Sequence, residues 1–560
     1  MISSNKKVVQ ILVQECLKAG INHVVCSPGS RNAPIVIAFD EHPLINCKVI
    51  HDERSAAFIA MGMAQQLNQP VAVVCTSGSA LLNYYPAVAE AFYQRIPLVV
   101  ISADRPEKWI NQGDGQTIVQ RGVYANHIDA EIAISEKDNA TVVANELEVI
   151  FDQLFDPSRG PIHINIEVDE PLYGTETIEE KEIESKKYQL PITQLSEDER
   201  DLLKTAISKT KKMVLIGQMP LDELFHNQLM ELSSDSSVAI LVENTSNLVS
   251  QKWIHCIDRT LNLISEEDLK DFVPDVLITF GGAIVSKRIK AFLRKNQPQI
   301  HFKVGFDFPE MNTYELLSHS FQVKNAYFLS EWNALKNEIP TSNFGVKWKQ
   351  LDFFAQEKAK LFLEKVAFSD LKVIETILDF VPDASHLHMA NSSVVRYCQL
   401  FDPIKGVHYW SNRGTSGIDG STSTAVGAAL IKTNEIHTLI TGDVSFFYDS
   451  NALWNNYKIP NLRIFLINNG GGGIFNIIPG PRSSKQNSKY FEAKHSFSAE
   501  YVCKGFDVEY FLAKNLDELE SQMEAFYRYS ETGGIKLMEI VTSDCYNHVI
   551  LDNYFEFCKS

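Results

Sequence analysis

Short apolar runs that stop abruptly at Gly, Ser, Asn or Asp recur along the chain. They are HVVCSPGS (23–30), VAVVCTSG (71–78), PLVVISAD (97–104), MVLIGQ (213–218), AILVENTS (239–246), DVLITFGG (275–282), HTLITGD (437–443) and RIFLINN (463–469). Each is short, rich in β-branched residues and bounded by turn formers, the pattern of a strand buried on both faces of a parallel sheet. Stretches with helical spacing, such as RSAAFIAMGMAQQL (54–67), lie between them, and strands alternating with helices predict α/β layers. Ligands of such sheets bind outside the carboxyl ends of the strands. Chemistry is therefore expected at the polar residues that close each run.

Two breaks divide the pattern. The stretch GTETIEEKEIESKKYQLP (174–191) carries too much charge for a core and reads as a linker. A helical stretch around 345–366, including KWKQLDFFAQEKAKLFLEK, precedes a fresh α/β pattern. The prediction is three doubly wound parallel-sheet α/β domains, near 1–175, 192–340 and 365–560. The segment MISSNKKVVQILVQECLKAG reads as an amphipathic helix and lacks the apolar region of a signal peptide. No run approaches the roughly 20 apolar residues of a transmembrane segment.

Composition narrows the function. The net charge of −18 argues against a nucleic-acid partner, which needs a basic surface. It also means that an anionic substrate requires cations concentrated locally. Nine cysteines without a C-x-x-C pair predict buried thiols in a reducing, cytoplasmic compartment rather than zinc or disulfides. There is no P-loop.

The strongest local signal is HTLITGDVSFFYDSNALWNNYKIPNLRIFLINNGGGGIF. One strand ends at Gly442–Asp443 and the next at Asn468–Asn469, followed by four glycines. The intervening length accommodates one helix, so Asp443 and Asn469 reach the same sheet edge. A carboxylate and an amide oxygen there form a hard oxygen site suited to Mg²⁺, to which a nearby glycine carbonyl could add a ligand. The glycines let backbone N–H groups approach a phosphate. Mg²⁺ held by few protein ligands completes its octahedron with phosphate and water, so the site asks for a diphosphate. Read bare, the same residues are two turns closing two strands. In VIHDERSAAFIAMGMA, Glu53 sits where a strand meets an apolar helix; there Asp52 or Glu53 could equally be a helix cap. Ile418 is a bulky apolar residue in a loop of small and polar ones, either a ligand support or an anchor to the core.

SPGSRNAP (27–34), HDERSAAFIAMGMA (51–64), TSGSALLNYYPAVAEA (76–91), SADRPEKWINQGDGQTI (102–118), GGAIVSKR (281–288), NSSVVR (391–396), SNRGTSGIDGSTSTAVGAAL (411–430), GDVSFFYDSNAL (442–453) and NNGGGGIF (468–475) occur in that order. Over nearly its whole length the chain thereby resembles the thiamine-diphosphate enzymes that form 2-succinyl-5-enolpyruvyl-6-hydroxy-3-cyclohexene-1-carboxylate in menaquinone biosynthesis. Val444 departs from the general G-D-G pattern, but GDVSF matches this branch.

The resemblance implies that 2-oxoglutarate is decarboxylated on thiamine diphosphate with Mg²⁺, or Mn²⁺ in its place. The succinic-semialdehyde carbanion then adds to isochorismate. It assigns Glu53 as the carboxylate that activates the aminopyrimidine ring, Asp443, Asn469 and Gly471 as metal ligands, and Ile418 as the prop of the bent cofactor. Further cofactor contacts are implied at Thr76, Ser77, Gly78, Asn83, Gln116, Ser416, Gly417, Gly442, Val444, Ser445, Gly472, Gly473, Ile474 and Phe475. Both substrates are dicarboxylates, for which Arg is the fitting partner. Ser30, Arg31, Arg105, Lys287, Arg288, Ser392, Arg396 and Arg413 are implied to bind them, with Arg31, Arg105, Gln116 and Arg413 also in catalytic positions. Gly115 stands where relatives can carry Asn. The family builds each site from two subunits, so a homodimer is the minimum and a tetramer expected. Two rival readings are another thiamine-diphosphate decarboxylase or carboligase, and a catalytically silent cofactor-binding relative. The polar stretch GPRSSKQNSKYFEAKHSFS (480–498) reads either as a lid or as a solvated loop.

Overall fold

The apolar runs fold as the predicted strands, and several are buried at every position, including Val71–Cys75, Leu98–Asp104, Lys212–Ile216 and Leu462–Asn468. The computed structural model describes residues 1–156, 158–179, 186, 193–335, 342–478, 480–529, 533–542 and 546–560. The chain begins with β1 (Ile2–Ser4) and the helix α1 (Lys7–Lys18). The first sheet contains β2 (His23–Cys26), β3 (Asn46–Val49), β4 (Val71–Cys75), β5 (Leu98–Asp104), β6 (Ala130–Ser135) and β7 (Ile162–Glu167). Its order is β3-β2-β4-β5-β7-β6, parallel throughout. Helices α2 (Glu53–Leu67) and α3 (Ser79–Gln94) flank it.

The linker expectation at 174–191 needs correction. Residues Thr175–Thr177 form β8, which pairs antiparallel with β1 in a two-stranded sheet and so ties the stretch back to the start of the chain. Of the rest of that stretch, 180–185 and 187–191 lie outside the described residues.

The middle sheet is also parallel, in the order β10-β9-β11-β12-β13. Its strands are β9 (Lys212–Ile216), β10 (Val238–Val242), β11 (Val276–Phe280), β12 (Ile300–Val304) and β13 (His319–Phe321), and α4 (Lys287–Lys295) follows β11. The predicted helix near 345–366 is α5 (Phe344–Leu363). It buries Phe344, Trp348, Asp352, Ala355, Ala359 and Leu363, one stripe at helical spacing.

After α6 (Asp370–Phe380) comes the third sheet: β14 (His386–Met389), β15 (His408–Trp410), β16 (His437–Gly442), β17 (Leu462–Asn468), β18 (Glu509–Ala513) and β19 (Lys536–Val541). The helix α7 (Ser421–Ile431) precedes β16. The order β15-β14-β16-β17-β19-β18 is parallel throughout. Numbered within each sheet, the first and third share the order 2-1-3-4-6-5. The direction of winding reverses between strands 1 and 3, at β2/β4 and at β14/β16, which is where a doubly wound sheet opens a ligand crevice.

The equivalent helices α2 and α7 pack on one another, and small residues make that possible. A Cβ on Gly62 would meet the Thr424 carbonyl oxygen at 2.2 Å, and one on Gly427 would meet that of Ile59 at 2.1 Å. The two backbones therefore touch directly, and the first and third sheets share one apolar core. The eight described cysteines are all free, seven of them buried; Cys545 lies outside the described residues. Among the described residues no helix is long and apolar enough to cross a membrane.

Candidate active site

At the switch point of the third sheet lies a cleft of about 190 Å³. Its walls are the turn after β14 (Asn391, Ser392, Ser393), Ile418, the end of β16 (Gly442 to Ser445), and the turn after β17 (Asn469, Gly471 to Phe475). The Asp443 carboxylate is almost fully buried and ties two of these walls together. Its Oδ2 accepts the Gly470 and Gly471 N–H groups at 2.8 and 2.9 Å, and its Oδ1 accepts the Val444 N–H at 2.6 Å. Burial pushes this carboxyl above its ordinary range, and the backbone donors partly oppose the shift.

Asn469 is held differently. Its Nδ2 donates to Asp370 Oδ2 at 2.9 Å, while its Oδ1 is buried without a partner among the described residues. An orphaned, oriented carbonyl oxygen beside a carboxylate suits a hard cation. The glycines fit close backbone packing. Gly471 has φ +147°, and a Cβ there would meet the Glu492 carbonyl oxygen at 2.5 Å. The Gly471 carbonyl accepts the Gly473 N–H at 2.9 Å, and its second lone pair is available to a ligand. The donor set and the glycine cradle thus fit a divalent cation with a diphosphate. Phe491, Glu492 and Ala493 also line the cleft, and the Gly472 N–H donates to the Glu492 carbonyl at 2.6 Å. The segment read as lid or solvated loop therefore supplies a wall of the pocket.

Ile418 presents its side to this cleft, and its carbonyl accepts the Ser445 hydroxyl at 2.6 Å. Ser416 and Gly417 belong to the same loop, whose Gly417 carbonyl accepts the Asn391 amide at 2.6 Å. Arg413 donates to Asn391 Oδ1 at 2.6 Å, and Arg396 donates to the Ser392 carbonyl, so both guanidinium groups hook onto residues that line the cleft. Burial lowers the pKa of each, and the charge of Arg413 lowers that of Arg396 further, which places two like charges close together. Lys287 and Arg288 are both exposed; Arg288 stacks on the Phe555 ring at 3.9 Å and donates to Asn262.

In the first sheet the corresponding turns meet at the β2/β4 switch point. The Arg31 N–H donates to Thr76 Oγ1 at 3.2 Å, and a Cβ on Gly29 would overlap the Thr76 side chain. The guanidinium of Arg31 is buried against the Val168 carbonyl at 3.0 Å and Glu170 at 3.2 Å. Ser77 is buried beside them, and Ser30 is exposed. Gly78 has φ +85° and packs against the Gln116 backbone, itself at φ +54°. Arg105 pairs with Asp114 at 2.8 Å. Glu53 heads α2, next to its cap Asp52, whose carboxylate accepts the Ser55 N–H at 3.1 Å. Asp52 therefore takes the capping role and leaves the Glu53 carboxylate to the Asn83 amide, 3.3 Å away. None of these first-sheet residues lines the cleft of the third sheet.

Two domain families match. The thiamine pyrophosphate enzyme N-terminal TPP binding domain covers residues 6–127, and the middle domain of thiamine pyrophosphate enzymes covers 182–389. The 2-succinyl-5-enolpyruvyl-6-hydroxy-3-cyclohexene-1-carboxylate synthase of Flavobacterium johnsoniae is 43% identical, over 99% of this chain and all of the relative. The chain belongs to this synthase family. The synthases so named from Christiangramia forsetii and Bacteroides thetaiotaomicron are 41% and 36% identical, covering 99% and 100% of this chain and 99% and 100% of their own lengths.

Within this synthase fold, four groups escaped the sequence reading. His495 is clasped by the Phe447 and Phe497 rings and places Nε2 3.4 Å from Asp443 Oδ2. Glu90, buried on α3, accepts the Gly414 and Thr415 N–H groups at 2.6 and 2.7 Å and so anchors the Arg413 loop. Lys290 feels the charges of both Arg396 and Arg413, with its pKa lowered chiefly by burial. Asp370 lies behind Asn469; burial pushes its carboxyl up to about 6. Only a signal of the type Ser369–Asp370, a helix start, was visible for any of them.

Proposed function

We propose that this chain decarboxylates 2-oxoglutarate with thiamine diphosphate and adds the remaining four-carbon unit to isochorismate, forming 2-succinyl-5-enolpyruvyl-6-hydroxy-3-cyclohexene-1-carboxylate for menaquinone biosynthesis. The observation that carries the reading is the cleft in which an orphaned Asn469 oxygen, the Asp443 carboxylate and a glycine cradle lie beside Arg396 and Arg413. The full-length relatives carry that synthase name.

Thiamine diphosphate supplies the electron sink that lets CO₂ leave a 2-oxo acid. Asp443, Asn469 and the Gly471 carbonyl would hold Mg²⁺, or Mn²⁺ in its place, and the backbone of Gly472 and Gly473 would serve the diphosphate. Ile418 supports the cofactor rings, and Ile474 and Phe475 close the apolar side. Arg396 and Arg413, with Lys287, Arg288 and Ser392, bind substrate carboxylates, for which the forked guanidinium is suited. Glu53 would be the carboxylate that shares a proton with the cofactor's aminopyrimidine ring. Since Glu53, Thr76, Ser77, Gly78, Asn83 and Gln116 lie outside the cleft of their own chain, we assign them, with Ser30, Arg31 and Arg105, to the cleft of a second copy. The homodimer is then the smallest complete enzyme, and two dimers form a tetramer. The domains extend over about 1–175, 192–340 and 365–560, and the enzyme works in the cytoplasm.

The test is CO₂ release from 2-oxoglutarate by purified protein with Mg²⁺ and thiamine diphosphate, with isochorismate followed in the same tube. Release and isochorismate loss should rise together and need both cofactors. CO₂ without acceptor loss would make the chain a decarboxylase with another acceptor, and neither would make it a silent relative.

A further inference from the structure

We propose that Asp370 is a positioning residue for the metal site: it fixes the Asn469 amide so that the carbonyl oxygen, and not the NH₂ group, faces the cation. This rests on the reading of Asn469 as a metal ligand.

An asparagine amide has two orientations of nearly equal shape, related by a half-turn about its last torsion. Only one presents a lone pair to a cation, because the NH₂ group is a donor without acceptor capacity. Something must therefore choose. Asp370 is 3% exposed and heads α6. Its Oδ2 accepts the Asn469 Nδ2 at 2.9 Å. Its Oδ1 accepts the Thr542 hydroxyl at 2.6 Å, and its own N–H donates to Asn547 Oδ1 at 2.8 Å. Three chain segments thus clamp a carboxylate whose two oxygens both receive donors. A half-turn of the Asn469 amide would bring its carbonyl oxygen against that carboxylate, oxygen facing oxygen, and leave a buried acceptor pair unsatisfied. The observed orientation leaves Asn469 Oδ1 buried and without a partner among the described residues, on a side chain that lines the cleft.

This predicts a metal-affinity role separable from stability. Protein freed of metal with a chelator is titrated with Mg²⁺ in the presence of thiamine diphosphate, by calorimetry. Asp370→Asn, which can either accept from or donate to the Asn469 amide, should raise the Mg²⁺ Kd at least about 10-fold, in the range typical of groups that orient metal ligands. Asp370→Ser, which removes the carboxylate and leaves space for water, should do the same and serves if the first variant does not fold. Thr542→Val loosens Asp370 but leaves its bond to Asn469 in place, and should raise the Kd less than either Asp370 variant does. The melting temperature of each metal-free protein separates a general packing defect from the effect on metal. The proposal is overturned if both Asp370 variants bind Mg²⁺ as the unaltered protein does, or if Thr542→Val weakens binding equally with the same loss of melting temperature. If the unaltered protein itself shows no Mg²⁺-dependent binding, the metal reading of Asn469 falls first, which a normal unaltered titration distinguishes from failure of the Asp370 role.

Discussion

The first and third sheets share one strand order, 2-1-3-4-6-5, yet place opposite chemistry at equivalent positions. After its third strand the first sheet carries Thr76 and the third carries Asp443; after the fourth strand come Arg105 and Asn469. The third sheet closes these ends into a cleft with an unsatisfied acceptor, whereas Arg31 and Arg105 already have acidic partners. Glu53 meets the Asn83 amide at a long 3.3 Å. On the proposed function, one topology is specialised into a half that would grip an anionic cofactor through a metal and a half that would present an acid and cations.

The sharpest way to break this division of labour is Glu53→Gln. The change keeps shape and removes the ionisable proton site, so turnover should fall by about 10²- to 10⁴-fold, the usual worth of a positioned acid or base. Binding of Mg²⁺ and thiamine diphosphate, measured by calorimetry, should stay close to that of the unaltered protein. Loss of cofactor binding in parallel with turnover would mean that the first sheet also grips, and the comparison would fail.

The two halves were not equally legible in the sequence. Central strands such as β4, β5 and β17 announce themselves because each is built around an unbroken apolar run, although β5 ends in Asp104 and β17 carries Arg463. The edge strand β3, Asn46–Val49, has no fully buried position and so no pattern, and β14, HLHM, is fully buried although half of it is histidine. Asp443 and Asn469 were readable because each follows its strand directly. Asp370 was not, since its role depends on Asn469, 99 positions away, and on Thr542, 172 away. Glu90 reaches Gly414 across 324 positions, and local spacing carries no trace of such a contact. Lys290 sits in KRIKAFLRK, which reads as an ordinary solvated helix face until the third domain is placed against it.

Mixing chains tests whether the two halves that act together belong to one chain. Glu53→Gln spoils one half and Asp443→Asn the other, and each alone should be nearly inactive. If the site spans two copies, co-expressed variants form heterodimers in which one site joins two unaltered halves. Random assortment makes half of the dimers mixed, each with one good site of two, so about a quarter of the unaltered turnover should return. If each chain completes its own site, mixing restores nothing.

The smallest effect concerns the contact that holds the halves in register. At the α2/α7 crossing, Gly62 and Gly427 each face a backbone carbonyl of the other helix, with 2.2 and 2.1 Å from an added Cβ to oxygen. That contact cannot be relieved by turning a side chain, because the opposing atom is backbone. Gly427→Ala must push the helices apart and loosen a core shared by both sheets. Overpacking of this kind typically costs about 1–3 kcal/mol, offset in part by the better helix propensity of Ala, about 1 kcal/mol. Thermal or urea unfolding should show a net loss. Gly505→Ala is the control: it lies at a helix end with no atom within 4 Å of an added Cβ and no positive φ, so it should be neutral or slightly stabilising. A Gly427→Ala chain as stable as the control would mean that the helix pair tolerates separation, and that the two halves are positioned by the oligomer instead of by this crossing.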